Sequence, residues 1–105
     1  MAVIHINDES FEQAITKGLS LVDFWAPWCG PCMAFGPTFE AAAEKHPNIN
    51  FYKFEVDQAN RVTPAKYGIR SIPTIIAFKD GKQIETITGA MAPDGLAYWI
   101  ISLSS

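Results

Sequence analysis

The run Leu19–Ala26, LSLVDFWA, limits the fold more than any other stretch of the chain. It is too short for a buried helix, rich in strand formers, and apolar on both of its alternating faces. It therefore reads as a central strand, and the elements around it must cover both sides. Val3–Ile6, VIHI, reads as a short edge strand. Asn7 or Asp8 can cap a helix that the pattern carries to Lys17, with Gly18 at its stop. A second helix is expected from Gly30 to Lys45, kinked at Gly36-Pro37 and ended by His46-Pro47. Residues 50–56, NFYKFEV, alternate as a strand, and residues 61–68, RVTPAKYG, suit a short irregular helix.

Two runs, 74–79 and 82–88, flank Asp80-Gly81 and predict a hairpin. In the last segment Leu96, Trp99, Ile100 and Leu103 share one helical face. The order β α β α β α β β α implies parallel crossovers followed by an antiparallel hairpin, which is one mixed sheet of α/β class. At 105 residues the chain is expected to be one domain, 1–105. With 49% hydrophobic and only 18% charged residues it can build a core without staples. Its net charge of −3 and scattered Lys and Arg speak against nucleic acid or an anionic membrane as partner. No run approaches the about 18 apolar residues of a membrane span, and the acidic N-terminus lacks a basic, apolar export signal. A reducing, cytoplasmic setting is therefore expected.

In that setting the only two cysteines, both within WAPWCGPC, point to catalysis or metal rather than to structure. A four-residue loop gives the weakest of staples, roughly 2 kcal/mol on the chain-entropy model. Zinc usually takes about four ligands, and here one pair stands alone, with His5 and His46 on separate predicted elements and no metal expected. Redox chemistry accounts for the spacing. With Cys29 at the N-cap, Pro31 sits in the first turn, where a missing N–H does no harm, and Cys32 lies on the same side of the turn. The Cys29 sulfur then faces the helix's unpaired N–H groups, which favour thiolate. A drop in a thiol's pKa from about 8.5 to about 7 raises its thiolate fraction roughly sixteen-fold, and lowered nucleophilicity takes back about five-fold. Most of the rate must then come from holding Cys32 ready and from docking the target.

The motif VDFWAPWCGPC, with the later YGIRSIPT, the FKDG hairpin and Gly89-Ala90, resembles the thioredoxin family over essentially the whole chain. The resemblance implies the thioredoxin fold, a central mixed β-sheet with a parallel N-terminal half and an antiparallel C-terminal hairpin, flanked by helices. It implies a general protein-disulfide reductase, with Cys29 attacking and Cys32 resolving, and no bound cofactor. Its partners would be disulfide-containing client proteins and a flavin-dependent thioredoxin reductase, and the carrier itself a monomer. Gly30 and Pro31 would tune the pair.

By the same resemblance Asp23 would exchange protons with Cys32, and Lys53 would sit near Asp23. Read alone, Asp23 is an acid inside an apolar strand, where desolvation raises its pKa, and Lys53 is a solvated strand lysine. Trp28 is expected to shield the reactive sulfur and pack on the target, with Trp25 the better core candidate. The resemblance makes Ile72-Pro73 a cis bond that leaves the backbone of Ile72 and Thr74 open to an added client strand. Gly89 would complete that apolar surface. Three departures stand out: Met33 where the family has Lys or Arg, Gly36 where Ala is usual, and a longer segment between Asp57 and Tyr67. A binding subunit without turnover, and an oxidase or isomerase on the same fold, are the rival readings.

Overall fold

The computed structural model describes residues 2–104. Its five strands are β1 (Val3–Ile6), β2 (Leu19–Trp25), β3 (Asn50–Glu55), β4 (Thr74–Lys79) and β5 (Lys82–Thr88). They form one sheet in the order β1-β3-β2-β4-β5. The pairs β1/β3 and β2/β3 are parallel, whereas β2/β4 and β4/β5 are antiparallel. The apolar run read as a central strand lies at the middle of the sheet. The hairpin turns on Asp80 and Gly81, both at positive φ (49° and 87°), which matches the right-handed twist of the paired strands. Asp80 also clasps the turn after the first helix: its carboxylate accepts from the Gly18 N–H at 2.7 Å and its own N–H donates to the Gly18 carbonyl at 3.0 Å.

The helices are α1 (Phe11–Ala14), α2 (Gly30–Lys45), α3 (Val62–Lys66) and α4 (Pro93–Ser104). Strand alternation divides the core in two. Leu21, Phe51 and Ile75 point to the side of α2 and α4, where they meet Phe35, Phe39, Leu96 and Trp99. Val22, Phe24, Phe54 and Phe78 point to the other side and meet Phe11 of α1. The stripe read along the last helix is the buried one, with Leu103 at its partly covered end.

One expectation needs correction. The helix read from Asn7 to Lys17 is only the single turn Phe11–Ala14. Asn7 caps the turn before it, its side chain accepting from the Ser10 N–H at 3.0 Å. Past Ala14 the Thr16 hydroxyl donates to the Gln13 carbonyl, one of the local bonds by which Thr competes with helix. Asp8 caps a different element. Its carboxylate accepts from the N–H groups of Val62 and Thr63 at 3.0 and 2.8 Å, at the start of α3. The second helix has the expected bounds and runs through Gly36-Pro37 with Pro37 inside it.

Candidate active site

The loop after β2 turns at Pro27 and Trp28 and delivers Cys29 to the N-cap of α2 in extended conformation (φ −96°, ψ 111°). Its sulfur accepts from the Cys32 N–H at 3.2 Å. Pro31, at the helix start, has no N–H to compete for that acceptor. Cys29 and Cys32 are joined as a disulfide, with Cα atoms 5.2 Å apart. Exposure separates them: Cys29 retains 7% and Cys32 only 1%. An attacking Cys29, as the resemblance implies, must present a sulfur that a client can reach. It is the outer of the two, though more enclosed than a surface thiol.

Trp28 is 78% exposed, an open ring beside the pair. Ala26 forms one buried cluster with the two cysteines, and Trp25 and Ile72 pack against it. Trp25, read as a core residue, therefore belongs to the site. Alternation already put it on the face of Asp23, and that was the signal available in sequence. The Ile72-Pro73 bond is cis. It sets the Ile72 carbonyl oxygen 3.7 Å from the Cys29 sulfur. Thr74 is not open, as the cis turn had implied: it is a ladder partner of Phe24 and Thr88, and its hydroxyl donates to the Ser71 carbonyl at 2.6 Å. The N–H of Ile72 has no partner among the described residues. Gly89, at φ +99°, donates its N–H to the Pro73 carbonyl at 2.8 Å, and this ties the end of β5 to the same loop. A cleft of about 150 Å³ lined by Trp28, Val56, Ile69, Arg70, Ser71 and Ile72 opens beside the pair.

Beneath α2, Asp23 is fully buried, and neither carboxylate oxygen has a hydrogen-bond partner among the described residues. Desolvation raises its pKa to about 7, against the downward pull of the Lys53 ammonium. Lys53 is its register partner on β3. The reading of Lys53 as a solvated strand lysine fails. It is 8% exposed, with its ammonium 4.3 Å from the centre of the Trp25 ring. That contact replaces part of the lost hydration by attraction to the aromatic face. The Trp25 indole N–H is also buried without a partner. Three buried polar atoms, the two Asp23 carboxylate oxygens and the Trp25 indole nitrogen, are thus without partners among the described residues, whereas the other side of the sheet is largely aromatic.

A redox pair at a helix start, a buried acid of near-neutral pKa and a cis proline loop against the sulfur now stand together. The thioredoxin family model matches residues 2–102. Thioredoxins from Staphylococcus aureus, strains Mu50 and MW2 among them, are 41% identical over 98 residues, covering 92% of this chain and 93% of theirs. The crystal structure of Malassezia sympodialis thioredoxin (Mala s 13) superposes with a TM-score of 0.85 at 37% identity, covering 98% of this chain and 91% of that one. The chain belongs to the thioredoxin family, protein-disulfide oxidoreductases that work by dithiol–disulfide exchange on disulfide-containing substrates.

Proposed function

We propose that this chain is a general reductant of protein disulfides in which Cys29 attacks first and Cys32 resolves. The observation that carries the reading is the Cys32 N–H aimed at the Cys29 sulfur from the first turn of α2. A donor there stabilises negative charge on Cys29 and offers Cys32 no equivalent. In the first step the Cys29 thiolate bonds to one sulfur of the client disulfide, and the other client sulfur leaves as thiolate and takes a proton from water. In the second, Cys32 loses its proton to the Asp23 carboxylate and attacks the Cys29 sulfur. The remaining client thiolate departs and Cys29–Cys32 is oxidised. Two electrons have passed to the client. A carboxyl with a pKa of about 7 is close to half ionised at neutral pH, so it can both accept and return that proton.

Docking uses the free N–H of Ile72 as a strand-like contact for an extended client segment, with Trp28, Gly30, Pro31 and Gly89 as its apolar surround. Such contacts read backbone and shape, and so suit many clients. A flavin-dependent reductase returns the pair to the dithiol. The chain acts as one domain and as a monomer, in the cytoplasm, where a reducing compartment supplies its electrons. Cys32→Ser tests the order of events. Clients are expected to remain covalently attached through Cys29, and Cys29→Ser to capture none and show no turnover. Capture through Cys32 in the Cys29→Ser chain, with none in the other, would reverse the assignment.

A further inference from the structure

Glycine inside a helix is unfavourable relative to alanine, yet Gly36 lies buried in the middle of α2. The residue after it explains part of this. Pro37 crowds the backbone before it, and glycine relieves that crowding. What lies opposite Gly36 points further. A Cβ at position 36 would stand 3.5 Å from the Lys53 ammonium, in ordinary contact with it, and within 4 Å of no other atom outside its own turn of α2. The bare helix surface is one wall of a cleft of about 510 Å³, otherwise lined by Met33, Pro37, Glu40 and Lys53. Met33 is exposed at its rim, and Pro37 has no N–H to offer the Met33 carbonyl one turn back. The cleft therefore joins solvent to the largely buried Lys53, whose ammonium lies 4.3 Å from the centre of the Trp25 ring and which pairs in register with Asp23.

The geometry points to Gly36 as a positioning residue: by lacking a side chain it seats the Lys53 ammonium beneath α2 and keeps open the solvent route that hydrates Asp23. Buried polar groups are seldom left unpaired, and a roomy polar cleft is where water supplies the missing bonds. The groups facing Asp23 are few. On β3 they are Lys53 and, one step along the face, Glu55; on β1 His5 is the next partner in the same row. From α2 come Glu40 at the cleft and the cysteine pair. On β4 the partner is Ile75, and Glu85 on β5 is engaged by the Trp99 indole N–H at 2.8 Å. Among the described residues Lys53 is thus the one permanent cation on this face beside Asp23, and it is the group that a side chain at position 36 would meet.

The inference rests on Asp23 as the proton store of the proposed cycle only for its effect on rate. Its structural content is tested without turnover. Carbon-detected NMR titration of the Asp23 carboxyl would be run on the reduced wild type, Gly36→Ala and Gly36→Leu. Filling the cleft removes water and weakens the hold of Lys53, and both effects disfavour the carboxylate. The midpoint is expected to rise by about half a pH unit or more in Gly36→Leu, and by less, in the same direction, in Gly36→Ala. If Gly36→Leu does not fold, Gly36→Ala decides alone. A midpoint unmoved in every folded variant overturns the proposal and leaves Gly36 as a partner of Pro37 only. The proton role of Asp23 fails by a separate result, an unchanged resolution rate in Asp23→Asn, which leaves the titration outcome standing.

Discussion

The two faces of β2 are equally buried and differently made. Val22 and Phe24 point into a cluster where Phe11 meets the rings of Phe24, Phe54, Tyr67 and Phe78 at 5.5–6.4 Å between centroids. There the strand meets only side chains that gain by leaving water. On the other face Leu21 joins the apolar core, but the next residue on that side is Asp23, and then Trp25, with Lys53 across on β3. One face contributes stability by excluding water. The other gives some up at its end near the cysteines, because an unpaired acid there disfavours the folded state at neutral pH. The aromatic cluster and the proposed proton chemistry occupy opposite sides of the same strand.

Mutations on the two faces should therefore act with opposite sign. Phe24→Ala is expected to cost about 3–5 kcal/mol by urea unfolding, the transfer and cavity loss of a buried aromatic. Any chain that stays folded should exchange disulfides at an unchanged rate. A loss under about 1 kcal/mol would mean that this side is not the main source of stability. Asp23→Asn is expected to raise stability at pH 8 by up to ~4 kcal/mol and to slow the resolving step. The sign follows from linkage: the folded pKa of about 7 lies above the unfolded 3.8, so the protonated folded state is favoured. Wild-type stability on this account is fullest below pH 3.8 and falls as pH rises toward 7, by the same ~4 kcal/mol. Asp23→Asn should flatten that slope. A slope that persists in the variant would assign it to another group.

Smaller effects lie away from the strand. Asp8→Ala removes the cap of α3 and is expected to cost about 1 kcal/mol. Burial pushes the Asp8 pKa up, but hydrogen bonds from Thr63 and Val62 outweigh it and the net shift is downward. Its contribution is present above pH 3.8 and disappears as pH falls through the lower folded value. A difference between wild type and Asp8→Ala that persisted undiminished far into acid would contradict this. Glu12→Gln, which breaks the exposed pair with Lys66 at 2.8 Å, should leave the urea midpoint within error.

These contrasts also mark what could be read from the chain. The central strand, the hairpin at Asp80-Gly81, the buried stripe of α4 and Cys29 at a helix start all follow from local pattern, because each is set by neighbours within a few residues. The first helix did not follow. Asp8 looked like its cap and instead holds α3, 54 residues on, a bond that no local pattern encodes. The site divides in the same way. The cysteine spacing and the acid within an apolar strand were legible. The resemblance placed Lys53 near Asp23 and Ile72 by the cysteines, but the burial of the Lys53 ammonium against the Trp25 ring was not legible, since it depends on which faces the sheet brings together.

The most direct test of the central claim is alkylation of the reduced chain at pH 7 with less than one equivalent of iodoacetamide, followed by peptide mass mapping. The label is expected on Cys29, the outer sulfur held by the Cys32 N–H. Label on Cys32, or shared equally between the two, would contradict the account.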